Sequence, residues 1–161
     1  MSRGRGIKCS VKLPDILDHC ISKELQYVVQ KYIENPLIIL QRKFDIRQWV
    51  LVEDYSKVWF YEESYLRFCA EPYDMDNVGN RFMHLTNNSI QKYSKEFNKS
   101  EIEGNMITST EFATLIGQPA WEDIQKRMRE IVILTIKATE DQVAARRNTF
   151  ELFGYDFMVD S

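Results

Sequence analysis

The stretch KFDIRQWVLV (residues 43–52) constrains the fold more than any other segment, because its residues alternate with the period of a β-strand. Successive side chains on a strand point to opposite faces. One face therefore carries Lys43, Asp45 and Arg47. The opposite face is apolar except for one glutamine and consists of Phe44, Ile46, Gln48, Val50 and Val52. The pattern predicts a strand that is buried on one face and carries three charges in a row on the other.

This row of charges has two interpretations. Alternating charges usually lie on a solvated edge, and the triplet alone favours that interpretation. Arg67 in YLRFCA and Asp156 in FGYDFMV favour another, since a carboxylate within an apolar strand is costly unless it is paired or bound to a metal. If these strands share a sheet, the five charges form one polar face. Such a face suits a triphosphate with magnesium, because cations bind phosphate oxygens and carboxylates bind hard metal ions.

The remaining segments predict a mixture of helices and strands. Helical spacing marks residues 13–25 and, most clearly, residues 121–147, where an apolar stripe runs along Ile124, Met128, Ile131, Val132, Leu134, Thr135 and Ala138. Strands are predicted at residues 26–33, 43–52, 58–61, 65–70 and 149–161. The short connections from residue 43 to residue 70 are typical of an antiparallel meander. Residues 94–118 are polar and predict a long mobile loop with at most short helices.

Composition limits the class of protein. Of the 161 residues, 44% are hydrophobic, which is enough for a packed core in one domain, or in part of a larger one. The net charge of −3 argues against a general nucleic-acid binder. Three cysteines without a CxxC pair and two histidines offer no zinc-ligand spacing. With neither a signal-peptide pattern nor a membrane-spanning run, we expect reduced thiols in the cytosol.

Two polar motifs are ambiguous by themselves. SRGRG (residues 2–6) is found both in RNA-binding tails and in flexible ends, and no Walker spacing follows it. HLTNNSIQ (residues 84–91) is explained by helix capping through Thr86 or Asn87, although Asn87 and Asn88 could also orient a ribose or a substrate. A serine-type triad has no support, because the sequence contains no nucleophile elbow.

Six motifs, taken in order, resemble the tubulin–tyrosine ligase-like family: SRGRGI, VVQKYIENPLII, KFDIRQWVLV, YLRF, HLTNNSIQ and ELFGYDFM. The resemblance covers nearly the whole chain. IRQWVLV, VWFYEESYLRF, STEF and QVAARRNTFELFG resemble the glycylase members most. The resemblance implies an α+β fold of the ATP-grasp type, with an antiparallel sheet and flanking helices. Residues 1–29 would then end the central ATP-grasp domain, and residues 30–161 would form the C-terminal domain with the nucleotide cleft, incomplete at its C-terminal end.

The implied activity is an ATP-dependent ligase that joins free glycine to glutamate side chains in the acidic tails of tubulin in microtubules. ATP phosphorylates the acceptor carboxylate, and the amine of glycine attacks the acyl phosphate. Such a transfer needs in-line positioning and charge neutralisation more than a protein nucleophile. ATP and Mg²⁺ are the implied cofactors. The implied location is the cytoplasm, the cytoskeleton and the axoneme of a cilium or flagellum, with neither nucleic acid nor membrane as a partner.

The resemblance also implies roles for individual positions. The flexible loop that closes over the phosphates contains Arg3, Gly4 and Gly6. The strand that holds the adenine contains Gln30, Lys31, Tyr32 and Ile33. The other nucleotide contacts are Lys43, Asp45, His84, Thr86 and Asn87. Arg67 would meet the acceptor carboxylate or its acyl phosphate, Arg47 would lie on the nearby phosphate or acceptor side as the second catalytic arginine, and Asp156 would be the first magnesium ligand.

Two departures from the family pattern predict that the chain is a fragment of a larger enzyme or a truncated gene product. Family members carry a lysine shortly before SRGRGI, and a glutamate and an asparagine beyond FGYDFM that complete the magnesium site. Since one carboxylate hardly holds catalytic magnesium, the chain alone is expected to be inactive or feeble. The alternatives are a polyglutamylase-type ligase, a non-catalytic piece that binds ATP or microtubules, and, more remotely, an RNA-binding segment.

Overall fold

The computed structural model describes residues 6–21, 27–54, 57–97, 99, 102–143 and 147–161. The helices are α1 (Leu13–Ile21), α2 (Arg81–His84), α3 (Asn88–Gln91), α4 (Ser109–Ile116) and α5 (Gln118–Thr139). The strands are β1 (Ile38–Ile39), β2 (Arg42–Glu53), β3 (Lys57–Phe60), β4 (Tyr65–Phe68), β5 (Met106–Thr108) and β6 (Phe150–Phe157). Every strand pairing with a defined register is antiparallel, which confirms the predicted α+β class.

The chain divides into two compact units. The first unit takes the described parts of residues 1–44, 68–105 and 160–161, and the second takes those of residues 45–67 and 106–159. Strand β2 starts in the first unit and continues into the second. The predicted domain boundary between residues 29 and 30 concerns the family fold and stays a prediction.

Strand β2 is the centre of the second unit. Along one stretch it pairs with β6, from Ile46 opposite Phe157 to Glu53 opposite Phe150. Its last four residues also pair with β3, while β4 is a neighbour of β2 and pairs with β5. The strands predicted between residues 43 and 70 are confirmed, but their meander order is wrong. Because β3 covers only the end of the 12-residue β2, β4 can lie beside β2 instead of following β3.

The predicted buried face of β2 is confirmed. Ile46 and Val50 are fully buried, as is Gln48. The Nε2 of Gln48 donates to the carbonyl oxygens of Trp49 and Tyr61, at 2.9 and 2.7 Å, whereas its Oε1 has no hydrogen-bond partner among the described residues. In the first unit, Phe44 packs on Phe68 with ring centroids 5.4 Å apart. The alternation that identified this strand therefore also identifies its core side.

The strand predicted at residues 26–33 is wrong. Residues 27–33 have no regular structure, and Gln26 lies outside the described residues. Val28 and Val29 are 85% and 62% exposed. Apolar β-branched residues favour a strand only when a neighbouring strand accepts their backbone hydrogen bonds, and residues 27–33 pair with none of the described strands.

The loop predicted at residues 94–118 is also wrong over its second half, which contains β5 and α4. A capping box starts α4: the Thr108 side chain accepts from the Glu111 amide at 3.2 Å, and the Glu111 carboxylate accepts from the Thr108 amide at 2.7 Å. Phe112 then packs edge-on against Trp121 of α5, with ring centroids 5.8 Å apart. The end of this largely polar segment therefore forms a helix through its capping box and through the burial of Phe112 and Ala113.

The clearest predicted helix is confirmed, with shifted bounds and a rotated buried face. It is α5, and its buried residues are Trp121, Met128 and Val132. Ile131 and Leu134, which were predicted to be on the apolar stripe, are 45% and 64% exposed. The contact of Trp121 with Phe112 of α4 determines which face of α5 is buried. None of the described helices is long and apolar enough to cross a membrane.

Candidate functional site

The first unit contains a buried group that we call the lysine network: Tyr32, Lys43 and His84. Lys43 is only 5% exposed, and its Nζ donates to the His84 carbonyl oxygen at 2.9 Å and to the Tyr32 hydroxyl at 3.0 Å. The Tyr32 hydroxyl is also 2.8 Å from His84 Nδ1. One phenol oxygen thus joins the ammonium group to the imidazole ring.

The hydrogen bonds of His84 define its tautomer. Its Nε2 lies 3.1 Å from the Asn77 carbonyl oxygen, which can only accept, so Nε2 carries the proton. Nδ1 then accepts from the Tyr32 hydroxyl, and this hydroxyl accepts from Lys43. Burial lowers the pKa of His84 below its ordinary value of 6.5, and the charge of Lys43 acts in the same direction. Burial is the largest cause that raises the pKa of Tyr32, and the neighbouring Tyr73 raises it too, so the phenol stays protonated.

Local sequence places these residues. A tight turn at Leu40 and Gln41, both with positive φ, joins β1 to β2 and sets Lys43 opposite Ile38. His84 is the last residue of α2, whose N-cap Asn80 accepts from the Phe82 amide at 3.0 Å. The network therefore depends on one hairpin and one short capped helix.

The second unit contains a charged group that we call the arginine cluster: Asp45, Arg47, Arg67 and Asp156. Arg67 donates from Nε to Asp45 Oδ1 at 2.8 Å and from Nη2 to Asp45 Oδ2 at 2.5 Å. Nη2 also donates to Asp156 Oδ1 at 2.8 Å. The side chains of Arg67 and Asp45 are 9% and 10% exposed, and that of Asp156 is 47% exposed. The paired fork geometry is the strongest arrangement for an arginine and a carboxylate.

Arg47 takes a different position in this cluster. It lies opposite Asp156 in the β2–β6 register, and its Nη1 donates to the Gly154 carbonyl oxygen at 3.1 Å. Its Nε is 3.0 Å from Asp156 Oδ1, an ion-pair distance, but makes no hydrogen bond with the described residues, so this attraction is electrostatic. Its guanidinium carbon is 5.6 Å from the centre of the Trp49 ring.

The cluster is balanced in charge and leaves donors for a ligand. Burial is the largest single influence on the pKa of Arg67 and lowers it. The combined effect of Asp45 and Asp156 raises the pKa by more than burial lowers it, so Arg67 remains charged. Within the described parts of the chain, Nη1 of Arg67 and Nη2 of Arg47 make no hydrogen bond. The guanidinium of Arg67 is therefore fixed by two carboxylates and that of Arg47 by a backbone carbonyl and an ion pair, and both still have N–H groups available for an anion.

Magnesium fits the described residues poorly. No group of three or more His, Cys, Asp or Glu side chains comes together among them in a way that could hold a metal ion. Asp156 is the one predicted ligand, and its Oδ1 already contacts two arginines. Its role as a magnesium ligand stays a prediction, and a mechanism for these residues has to be stated without a metal.

The other predicted site residues are spread over the first unit. Arg3 and Gly4 lie outside the described residues, and Gly6 is exposed with a φ of 80°. Three predicted adenine contacts are exposed in the segment without regular structure: Gln30, Lys31 and Ile33. Thr86 is buried, and Asn87 is the N-cap of α3, although its side chain makes no capping hydrogen bond.

The structure supports part of the polar-face hypothesis. Four of the five predicted charges meet in the arginine cluster, while Lys43 belongs to the first unit. The solvated-edge interpretation is wrong for Lys43 and Asp45, which are 5% and 7% exposed. Sequence reasoning missed the hydroxyl role of Tyr32 and the contacts of Trp49 and Gly154 with Arg47. The i, i+2 spacing of Arg47 and Trp49 was a usable signal, because it puts both on one face.

A comparison with known protein families identifies the family of this chain. The model of the tubulin-tyrosine ligase family matches residues 1–161. The chain belongs to this family. The recognition made from the ordered motifs is therefore confirmed.

Three relatives show where in the family the similarity lies. Tubulin glycylase 3B of Tetrahymena thermophila is 45% identical over 168 residues, covering 100% of this chain and 14% of that protein. Tubulin monoglycylase TTLL3 of Danio rerio is 42% identical over 173 residues, covering 98% of this chain and 22% of that protein. Protein monoglycylase TTLL8 of Homo sapiens is 42% identical over 173 residues, covering 98% of this chain and 20% of that protein. The chain thus spans 14–22% of the length of these curated relatives.

Proposed function

We propose that this chain is the part of an ATP-dependent ligase that handles the acceptor carboxylate and the nucleotide when glycine is joined to glutamate side chains of tubulin. Family membership and the glycylase names of its relatives support this proposal. The observation that carries it is the arginine cluster, where Arg47 and Arg67 are held in place and retain donors for an anion. We further propose an ATP-grasp-type fold for the complete catalytic unit.

The proposed chemistry has two steps. An oxygen of the acceptor carboxylate attacks the γ-phosphorus of ATP, which forms an acyl phosphate and releases ADP. The amine of glycine then attacks the acyl carbon, loses a proton and expels inorganic phosphate, which leaves an amide bond. Negative charge concentrates on the acyl phosphate in both steps, so fixed guanidinium groups lower the barrier without any nucleophile from the protein.

In this proposal Arg67 and Arg47 have different tasks. Arg67 is bound to two carboxylates and is the more buried, so it provides a fixed charge with the two N–H groups of Nη1 left to donate. The Arg47 side chain is 22% exposed and donates to a neutral carbonyl, so it can contact the acceptor or the phosphate without giving up a carboxylate hydrogen bond. Asp45 and Asp156 keep both guanidinium groups oriented.

The lysine network is assigned to the nucleotide. A buried ammonium group is a compact donor that suits a phosphate or a ribose oxygen, and Lys43 is held by the Tyr32 hydroxyl and the His84 carbonyl. Tyr32 belongs to the segment for which adenine contacts are predicted. ATP as the substrate of this network is part of the proposal.

The direct test uses the native protein with microtubules, ATP, magnesium and labelled glycine or labelled glutamate. We expect glycine incorporation that Arg47→Ala lowers about 10-fold to 100-fold, the loss expected for a hydrogen bond from a charged group. Arg127→Ala is the matched control, because Arg127 is an exposed arginine of α5 whose ion pair within the described parts of the chain is with Asp123. Incorporation of glutamate without glycine would favour a polyglutamylase-type ligase instead.

A non-catalytic ATP-binding or microtubule-binding module is the second candidate, and the lysine network supports it, because a buried ammonium group can bind a phosphate without any turnover. It predicts co-sedimentation with microtubules without turnover of ATP. A rise in the unfolding temperature with ATP would show that nucleotide binding is retained. Incorporation of glycine by the native protein would exclude this candidate.

A further inference from the structure

Gly154 leaves a slot on the polar face of the sheet. It lies opposite Trp49 in the β2–β6 register, one diagonal step from Arg47. A Cβ atom built on Gly154 would be 2.3 Å from Arg47 Nη1, 3.3 Å from Arg47 Cζ and 3.1 Å from Trp49 Cζ3. The first distance is far below van der Waals contact, so the guanidinium occupies the space of the missing side chain.

Backbone conformation does not explain a glycine at this position. Gly104 and Gly117 have positive φ, a region that other residues rarely adopt, but Gly154 does not. Glycine also weakens the interior of a strand, and it often marks a close approach of another group. Here the approaching group is the guanidinium of Arg47, which donates to the carbonyl oxygen of Gly154 itself.

We propose that Gly154 is a positioning residue: its lack of a side chain holds Arg47 across β6, between the Trp49 ring and Asp156. The inference rests on the proposed function for the role of Arg47, but the positioning itself is a property of the fold. A methyl group at residue 154 pushes the end of a flexible side chain away and leaves the strand backbone in place. The substitution therefore separates the placement of Arg47 from the stability of the sheet.

The first experiment measures where the guanidinium is, without reference to catalysis. The native protein, Gly154→Ala and Gly79→Ala are treated with phenylglyoxal, and modification of Arg47 is followed by peptide mass spectrometry, with Arg127 as internal reference. A guanidinium displaced into solvent reacts faster, so Gly154→Ala should raise the rate at Arg47 several-fold. Gly79→Ala is the matched control, since its added Cβ meets nothing within 4 Å. An unchanged rate at Arg47 in a folded Gly154→Ala protein would overturn the proposal.

The second experiment is a double-mutant cycle on glycine incorporation. Gly154→Ala should lower kcat/KM about 10-fold or more, and should cause little further loss in the Arg47→Ala background, because the shortest contact of the added Cβ is with Arg47, whereas the Trp49 ring has to move by only a few tenths of an ångström. Losses that multiply in the double variant would indicate a general structural role and overturn the proposal. If Gly154→Ala unfolds more easily, Arg47→Ala should relieve the defect, and failure to relieve it also counts against the proposal.

The two experiments separate this inference from the proposed function. If the unsubstituted protein incorporates no glycine, the proposed function fails. The modification rate at Arg47 still decides whether Gly154 positions that side chain.

Discussion

The lysine network and the arginine cluster stabilise buried cations in two different ways. Lys43 and Arg67 are 5% and 8% exposed. Arg67 is held by two carboxylates, and one of them, Asp45, accepts through both of its oxygens from Nε and Nη2. The hydrogen bonds described for Lys43 are with a phenol and a backbone carbonyl, and the phenol continues to a neutral imidazole.

This difference predicts different weaknesses. A guanidinium compensated by carboxylates depends on the presence of each buried partner, because removing one leaves charge uncompensated at low dielectric. A network of neutral partners depends instead on protonation states, because His84 Nδ1 can accept from Tyr32 only while it carries no proton. Removing a buried partner should therefore damage the cluster most, while mild acid should damage the network first.

Removal of Asp45 is expected to have the largest effect. Asp45→Ala removes both hydrogen bonds of the bidentate pair with Arg67 and leaves the guanidinium charge without its buried carboxylate partner. It should lower the free energy of unfolding by about 3–5 kcal/mol. Urea unfolding followed by circular dichroism measures it. Asp156→Asn is the control within the cluster: its side chain is 47% exposed, so a loss of less than about 1 kcal/mol is expected. Equal losses for both variants would mean that the cluster does not depend on its buried pair.

Removal of the Tyr32 hydroxyl should have a smaller effect. Tyr32→Phe keeps the ring but takes a partner from both Lys43 and His84, and should cost about 1–2 kcal/mol of unfolding free energy. Tyr93→Phe is the matched control, because the Tyr93 side chain is 72% exposed and should change stability by less than about 0.5 kcal/mol. If the two variants unfold alike, the hydroxyl does not hold the network together.

The smallest effect is expected from mild acid acting on His84. Its pKa in the folded protein lies below the ordinary 6.5, so the unfolded chain binds more protons between the two values. Stability is therefore complete above pH 6.5 and falls as the pH drops through the folded pKa. Unfolding curves between pH 8 and pH 5 test this expectation, with the unsubstituted protein compared with His84→Gln. The His84 variant should flatten the pH dependence, and an unchanged pH dependence in a folded His84→Gln protein would contradict it.

Two segments of similar composition show why sequence reasoning succeeded in one place and failed in another. Residues 43–52 and 26–33 are both rich in β-branched or aromatic residues, yet only the first is part of a strand. The first segment has β6 on one side along much of its length, whereas residues 27–33 pair with none of the described strands. Strand propensity is a property of a paired surface, so the sequence of one segment predicts it only when a partner exists.

The candidate site was predictable in its residue types and less so in its contacts. The alternation in β2 identified Asp45 and Arg47, and the unusual carboxylate in an apolar strand identified Asp156. Neither signal showed that Arg67 holds both aspartates or that Lys43 belongs to a different unit. Tyr32 was predicted to contact the adenine through its backbone. Nothing in the local sequence indicates that its hydroxyl reaches His84, 52 positions away in sequence.

The sequence by itself determined the family of this protein and the face on which each β2 side chain lies, since ordered motifs and a two-residue period are local properties of the chain. Only the tertiary structure decided that Asp45 and Asp156, separated from Arg67 by 22 and 89 positions, meet at its guanidinium, and that Gly154 makes room for Arg47. These contacts depend on strand register, which a one-residue shift would destroy. Register is set by the packing of the whole sheet, and no single segment contains that information.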